Sequence, residues 1–147
     1  IGVDSSADAL QQARNNATRN GFDRVCRFID SDALPYLKTA PKGHFDAIIL
    51  DPPAFAKSRS NLPQAQKGYI DINRRALLAL QSGGVLVTSS CSHHVSDELF
   101  REILIRAAQA SGRQLRILHS GGQAADHPPL LAMPETRYLK CLFLEVV

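Results

Sequence analysis

The chain has 147 residues, of which 44% are hydrophobic and 21% charged, and its formal net charge is +3. This length suits one compact domain over residues 1–147 and is short for two. No apolar run reaches the roughly 18 residues that a membrane-spanning helix needs, and the start of the chain does not resemble a signal peptide. We therefore expect a soluble, cytoplasmic protein with no membrane partner. Its mild positive charge permits nucleic acid binding without requiring it.

The three cysteines, Cys26, Cys91 and Cys141, lie far apart in the sequence, without a CxxC pair or a histidine at zinc-ligand spacing. This arrangement predicts neither a disulfide framework nor a metal site, and it suits a reducing compartment. An isolated cysteine is usually a small buried hydrophobic residue, and we interpret Cys26 and Cys141 in this way. Cys91 differs because serines flank it at the end of a predicted strand.

The predicted elements alternate between strands and amphipathic helices. A strand opens the chain at residues 1–4, and a helix then begins near Ser5, at capping-box spacing from Asp8, and ends at Gly21. Further strands are predicted at residues 25–29, 45–50, 84–88, 115–118 and 138–147. Further helices are predicted at residues 33–39, after the polar stretch of residues 57–66 with an end near residue 80, and between residues 96 and 112. This order predicts a Rossmann-like, doubly wound α/β sheet that is mostly parallel. Because no helix separates the last two strands, we expect the last strand to be antiparallel.

Aspartates follow three of the predicted strands, at the edge where ligands bind to an open α/β sheet. Asp4 could accept hydrogen bonds from the ribose hydroxyls of a nucleoside cofactor. Asp32, which precedes Ala33, could meet the adenine amino group, and Asp51 follows a third strand. The alternative for Asp4 and Asp32 is helix capping, which for Asp4 is weakened by the serines that come after it.

The glycine-rich turn that would identify the class of cofactor is missing, because Gly83-Gly84 and Gly121-Gly122 stand alone. In a nucleotide-binding sheet this turn follows the first strand. We therefore expect an N-terminally truncated catalytic domain that lacks the first strand and its glycine-rich loop. On this interpretation the chain by itself is expected to be inactive.

The segment Asp51-Pro52-Pro53-Ala54-Phe55 predicts a stiff loop after a buried strand. Two consecutive prolines fix φ and remove two backbone donors, so that the loop carbonyls face the crevice. Such a loop could hold a base turned out of its stack, with Phe55 available for stacking, although a rigid strand exit has the same sequence. If the strands that precede Asp51 and Cys91 are neighbours, both side chains reach the same crevice.

Four segments together resemble the bacterial family of 23S ribosomal RNA cytosine-5 methyltransferases: residues 51–55, Lys67 to Asn73, residues 90–92, and Gln123 to Pro128. The resemblance covers essentially the whole chain. It implies a class I methyltransferase with S-adenosyl-L-methionine as cofactor and ribosomal RNA as partner. In that family the cysteine that matches Cys91 is the nucleophile, and the aspartate that matches Asp51 works beside it. The family also carries an N-terminal PUA-type RNA-binding domain.

The strand-end positions and the resemblance together define the candidate site. The catalytic candidates are Cys91 and Asp51. The cofactor-binding candidates are Asp4, Asp32, Ala33 and Asp51. The substrate-binding candidates are Pro52, Pro53, Phe55, Lys67, Tyr69, Gln123, Asp126 and His127. Lys57 and Arg59 could meet phosphates, although a solvated basic face is the ordinary interpretation. No metal ligand is predicted, and homodimer formation is left open.

Cytosine-5 methylation requires these groups because C5 of cytosine is a poor nucleophile. A thiolate that adds to C6 converts the ring into an enamine whose C5 can attack a methyl donor. A carboxyl near N3 or the exocyclic amine would stabilise this adduct, and Asp51 would need burial to keep a proton there. Ala54 stands where two-cysteine RNA cytosine methyltransferases have a second thiol, so we expect no such thiol to assist release. The base that removes the C5 proton is unidentified; His93-His94 could transfer protons, but exposed loop histidines are more common.

Three alternatives share part of this pattern. A methyltransferase that acts on a base nitrogen, adenine N6 or guanine, has a similar Asp-Pro-Pro loop but needs no thiol, so Cys91 discriminates against it. A nicotinamide-dependent dehydrogenase would share Asp4, yet the sequence shows no convincing hydride-transfer pair. A non-catalytic RNA-binding fragment would fit the length, but the weak net charge counts against it.

Overall fold

A computed structural model describes residues 1–56 and 58–147, so Lys57 lies outside the described residues. The strands are β1 (Gly2–Asp4), β2 (Phe28–Asp30), β3 (Phe45–Leu50), β4 (Leu80–Ser90), β5 (Leu115–Gly121) and β6 (Lys140–Val146). The helices are α1 (Ala7–Arg19), α2 (Ala33–Thr39), α3 (Leu62–Ala79) and α4 (Asp97–Ser111). The predicted alternation of strands and helices is confirmed.

The chain divides into two compact units, Ile1–Ala40 and Pro41–Val147. In the first unit β1 and β2 pair in parallel, with Asp4 opposite Asp30. The N-cap of α1 is Ser6, whose hydroxyl accepts a hydrogen bond from the Ala9 amide at 3.2 Å. Helix α1 therefore begins one residue later than the predicted capping box.

The strand predicted at residues 25–29 is shorter and begins only at Phe28. The amides of Val25 and Cys26 both donate to the carbonyl of Phe22, at 3.1 and 2.9 Å, and so form a turn before the strand. Val25 is 76% exposed and Cys26 is also exposed. The interpretation of Cys26 as a buried hydrophobic residue is wrong for this reason.

The second unit contains a four-stranded mixed sheet in the order β3-β4-β6-β5. Strands β3 and β4 are parallel, and Leu50 pairs with Thr88 near their carboxyl ends. Strand β6 lies between β4 and β5 and is antiparallel to both, which confirms the predicted direction of the last strand. Its side chains alternate in burial: Lys140, Leu142, Leu144 and Val146 are buried.

Helices α3 and α4 pack against each other and contribute much of the core of this unit. Ser96 caps α4 by accepting from the Leu99 amide at 3.2 Å, and Gly112 ends it in the left-handed conformation with φ of +67°, as predicted. The largest fully buried side chains are Tyr69, Phe100, Leu77, Leu80, Leu86 and Ile103. None of the helices in the described residues has the length and apolar character needed to cross a bilayer.

Candidate functional site

Asp51 and Cys91 leave the sheet at the carboxyl ends of neighbouring parallel strands. Since Leu50 pairs with Thr88, Asp51 comes next to Ser89. The Ser89 hydroxyl donates to Oδ1 of Asp51 at 2.7 Å and to the carbonyl of Leu50 at 3.2 Å. Cys91 follows two residues later and is half-buried. The sheet therefore brings the carboxylate and the thiol to one edge.

The Asp51 side chain is exposed. The sequence predicted a buried carboxyl at this position, whereas the structure places it at the surface. The physical reason is position, because Asp51 is the first residue past the strand and projects from the sheet edge. Pro52 and Phe55 in the same loop are half-buried, whereas Pro53 is exposed.

Tyr69 of α3 holds the chain on both sides of Cys91. Its hydroxyl accepts a hydrogen bond from Ser90 Oγ at 2.9 Å and lies 2.9 Å from Ser92 Oγ. Tyr69, Ser90 and Ser92 have no exposed surface. Tyr69 therefore cannot touch a substrate in this structure, contrary to its place among the substrate-binding candidates, and instead supports the backbone around the thiol.

The Asp-Pro-Pro loop rests on the same tyrosine. The ring centroids of Phe55 and Tyr69 are 4.6 Å apart, and the Ala56 amide donates to Ser92 Oγ at 3.3 Å. Gly68 leaves room for Phe55, because a Cβ at position 68 would lie 3.3 Å from Cδ2 of that ring. The loop and the turn around Cys91 are thus joined through Ser92 and Tyr69.

The segment Lys67 to Asn73 is mainly structural. The Thr88 hydroxyl donates to Oδ1 of Asn73 at 2.8 Å, and the side-chain Nδ2 of Asn73 donates to the carbonyl of Tyr69 at 2.8 Å. Both Asn73 and Thr88 are fully buried, so this pair fixes α3 against β4. Lys67 is exposed on this helix.

Lys140 is a candidate functional residue that the sequence analysis missed. It pairs with Ser90 across the sheet and is 6% exposed. Its Nζ donates to the carbonyls of Ser92 and Tyr138, both at 2.8 Å. Burial lowers the pKa of Lys140, while the negative charges of Asp97 and of a Cys91 thiolate oppose that shift. The available signal was a lysine inside an apolar strand, where unpaired charges are rare.

Cys141 lies closer to the candidate site than its apolar neighbours in the sequence suggested. It pairs with Ser89 and is half-buried. Burial raises the pKa of the Cys141 thiol, and the charge of Asp51 adds to this effect. The side chain is therefore a second thiol near the carboxylate, held mainly in its protonated form.

The loop that follows β5 carries the remaining substrate candidates. The side-chain Nε2 of Gln123 donates to the carbonyl of His127 at 3.3 Å and also to the carbonyl of Thr136. Asp126 and His127 are exposed and face each other, with Oδ1 and Nδ1 3.2 Å apart. Gln123 thus stabilises the loop, whereas Asp126 and His127 are accessible at the surface.

Three of the four cofactor candidates, Asp4, Asp32 and Ala33, belong to the first unit and follow β1 and β2, whereas Asp51 belongs to the second unit. Asp4 is exposed, and its Oδ1 accepts from the Ser6 amide at 2.7 Å. Asp32 occupies the N-cap position of α2 but makes no capping hydrogen bond with its side chain, and it is exposed. Helix capping therefore does not account for Asp32, while Asp4 contributes to the turn that starts α1. Ala33 is half-buried beside them.

A family model described as "Methyltransferase domain" matches residues 1–123. Ribosomal RNA large subunit methyltransferase I of Aeromonas salmonicida (strain A449) is 46% identical over 145 residues, which are 97% of this chain and 37% of that protein. The protein of the same name from Escherichia coli (strain SMS-3-5 / SECEC) is 41% identical over 143 residues, 95% of this chain and 36% of that protein. The chain therefore spans little more than a third of these relatives.

A solved structure described as a methyltransferase complexed with SAH is similar with a TM-score of 0.81 and 20% identity. The match covers 98% of this chain and 38% of that chain. At this identity the likeness concerns the fold, and it confirms the predicted Rossmann-like class I methyltransferase architecture. Within residues 1–56 and 58–147, no group of three or more His, Cys, Asp or Glu side chains is placed to hold a metal ion.

Proposed function

Because this chain belongs to the methyltransferase domain family, we propose that the full-length protein methylates C5 of a cytosine in 23S ribosomal RNA through a covalent adduct with Cys91. S-adenosyl-L-methionine is the proposed methyl donor. The names of the relatives support ribosomal RNA as the substrate. The observation that carries the cytosine-5 assignment is a half-buried thiol at the sheet edge, with its flanking serines fixed and with Asp51 on the neighbouring strand.

The cofactor would be held by the strand ends of the first unit. Asp4 and Asp32 present exposed carboxylates there, as the hydroxyl groups of a ribose and the amino group of adenine require. Their acceptor oxygens match the donor groups of a nucleoside, so the residues present fit this cofactor. When bound, it supplies an electrophilic methyl group. We assign Ala33 a contact with the adenine of the cofactor, through its backbone or its side-chain surface.

Cys91 acts as the nucleophile in this mechanism. Its thiolate forms a bond to C6 of the cytosine, and the electrons of the C5=C6 double bond become available at C5 for attack on the methyl group. A nucleophile reacts efficiently when the backbone that carries it is held in one position. The hydrogen bonds of Ser90 and Ser92 to Tyr69 hold the neighbouring backbone in place, which meets this requirement.

Asp51 orients the base in this mechanism. Ser89 already donates to Oδ1, which leaves the other oxygen to accept a hydrogen bond from the exocyclic amine of the cytosine. This interaction needs only an accessible oxygen and therefore agrees with the exposure of Asp51. Methyl transfer leaves C5 with both a hydrogen atom and a methyl group.

The RNA would approach along the Asp-Pro-Pro loop. Phe55 is half-buried against Tyr69, so one part of its ring remains available for stacking on a base. Pro52 and Pro53 keep the loop stiff, and Lys67, Asp126 and His127 are accessible for contacts with the backbone or with neighbouring bases. We assign Gln123 to support of the loop that carries Asp126 and His127.

Trapping with 5-fluorocytosine tests the proposal. Fluorine at C5 cannot leave as a proton, so the bond between Cys91 and C6 persists. The full-length protein, with cofactor and 23S ribosomal RNA that contains 5-fluorocytosine, should form a complex that survives denaturation. Cys91→Ala should abolish both the complex and methylation, and Cys91→Ser should do the same because a hydroxyl stays protonated at neutral pH.

Cys26→Ala provides the matched control, since Cys26 is exposed on the other unit. It should trap and methylate as the wild type does. An adduct that maps to Cys141, or C5 methylation by Cys91→Ala, would contradict the assignment of the nucleophile. Methylation of a base nitrogen without any adduct would favour the alternative reaction.

A further inference from the structure

Lys140 is the only buried lysine among the described residues, and the proposed mechanism gives it no role. Its side chain runs from β6 to the turn that follows Cys91. There, Nζ donates to the carbonyl of Ser92 at 2.8 Å and to that of Tyr138 at 2.8 Å. These two contacts fix the amine next to the residue that follows the nucleophile.

The two carbonyls determine where a lone pair of this amine would point. A neutral amine has two N–H bonds and one lone pair in a roughly tetrahedral arrangement. Because Ser92 and Tyr138 accept both hydrogens, the lone pair must point away from both carbonyls. Burial lowers the pKa of Lys140 and thereby favours this neutral form.

The amine can be reached from outside the protein. Lys140 lines a cavity of about 490 Å³ whose walls come from the turn after β4, the start of α4 and the segment before β6. The titratable and charged groups that surround Lys140 in these walls are His93, Asp97, Glu98, Glu135 and Arg137, and Cys91 also acts on its charge. These groups carry charges of both signs, and burial remains the largest influence on the pKa of Lys140.

We propose that Lys140 is the base that removes the C5 proton after methyl transfer. This proposal rests on the cytosine-5 function proposed above. In this step the Lys140 amine forms an N–H bond as the C5–H bond breaks. The electron pair of that bond restores the C5=C6 double bond, the bond from C6 to sulfur breaks, and Cys91 leaves as a thiolate. The ammonium group then returns its proton to water.

Two other groups are less well placed for this step. His93 lines the same cavity, but it is exposed, and its ring contacts His94 with the centroids 5.5 Å apart. Cys141 pairs with Ser89, and burial raises the pKa of its thiol, which makes it a poor proton acceptor at neutral pH. Lys140 combines a fixed position, a lone pair of defined direction and a lowered pKa.

The decisive measurement separates methyl transfer from release. With unmodified ribosomal RNA and cofactor labelled in the methyl group, full-length Lys140→Met should transfer one methyl group and then stall. It should accumulate a denaturation-resistant complex in which methylated RNA is bound to Cys91. Multiple turnover should fall by roughly 100-fold or more, as expected for the loss of a general base. Lys42→Met, at an exposed lysine, is the matched control and should release product normally.

Lys140→Arg keeps a group that can donate to both carbonyls but stays protonated at neutral pH. It should therefore stall in the same way, and it decides the question if the Met variant does not fold. Release of methylated product at the wild-type rate by a folded variant would overturn the proposal. So would a folded variant that neither transfers methyl nor forms the adduct, because that result assigns Lys140 a structural role. Failure of the wild type to trap 5-fluorocytosine would instead refute the proposed function.

Discussion

Ser89 donates its hydroxyl hydrogen to Oδ1 of Asp51, and the two oxygens are 2.7 Å apart. The serine belongs to β4, whereas the aspartate follows β3, so the orientation of the carboxylate is set from the neighbouring strand. The same hydroxyl lies 3.2 Å from the carbonyl of Leu50. Ser89 is 7% exposed, which keeps water from replacing this contact easily. A residue outside the Asp-Pro-Pro motif therefore controls how that motif presents its acid.

The first prediction compares the two members of this pair. Asp51→Asn should keep the fold but lower the rate of methylation by roughly 100-fold or more, because it removes a charged acceptor near the substrate. Ser89→Ala should lower the rate by only about 10-fold, since it loosens the carboxylate without removing it. Single-turnover methylation of ribosomal RNA by the full-length protein measures both effects. Wild-type turnover by Asp51→Asn would show that the acid is structural.

The second prediction concerns Gly68 and the position of Phe55. An alanine at position 68 suits a helix and would favour α3 by about 0.5–1 kcal/mol. Its Cβ, however, would lie 3.3 Å from Cδ2 of Phe55, so the ring must move by a few tenths of an ångström. Gly68→Ala should therefore leave thermal stability nearly unchanged while it weakens RNA binding. Phe55→Leu should weaken binding in the same assay, and unchanged RNA affinity in both variants would argue against stacking by Phe55.

The third prediction uses the ion pairs of α3. Burial disfavours ionised Asp71, but hydrogen bonds from Arg74, at 2.8 Å, and from Arg75, at 3.0 Å, outweigh it and hold the pKa of Asp71 below 3.8. Because the pKa of Asp71 is lower in the folded state, its ionised form stabilises the fold at pH values above the unfolded-state pKa. This stabilisation is lost as the pH falls through the folded-state pKa. Because the pair is partly exposed, the contribution should be at most about 1 kcal/mol.

Denaturant unfolding of the wild type and of Asp71→Asn, each measured across the acid range, tests this prediction. The wild type should be the more stable protein near neutral pH. The difference in the free energy of unfolding should shrink as pH falls below 3.8. A difference that stays constant with pH would assign the effect of the substitution to packing instead.

The order and type of the elements could be predicted because they depend on local signals. Strand β3 was predicted with its observed bounds from a single apolar run, and α4 was predicted to end at residue 112, where Gly112 takes the left-handed conformation. The antiparallel β6 followed from the absence of a helix before it. Each of these features depends on signals within one element or between two consecutive elements of the chain.

The contacts that build the candidate site could not be predicted in the same way. Tyr69 meets Ser90 and Ser92 across more than twenty residues, and Lys140 meets the carbonyl of Ser92 across 48. These contacts depend on which strands pair and in which register, and a single sequence does not specify either. Tyr69 was named as a substrate contact because its segment carries the family resemblance, and that resemblance does not show that the side chain is buried in the core.

The last prediction tests Tyr69 as a support for the nucleophile. Tyr69→Phe removes one hydroxyl and leaves those of Ser90 and Ser92 without their shared partner in a buried place. The free energy of unfolding should fall by about 1–3 kcal/mol, the usual cost of an unsatisfied buried polar group. The rate of adduct formation with 5-fluorocytosine RNA should also fall, while cofactor affinity should change little because three of the four cofactor candidates, Asp4, Asp32 and Ala33, belong to the other unit. Tyr36→Phe, on α2 of that unit, is the matched control and should change neither quantity. Loss of stability with an unchanged rate of adduct formation would show that Cys91 keeps its position without the tyrosine hydroxyl, and would refute the supporting role.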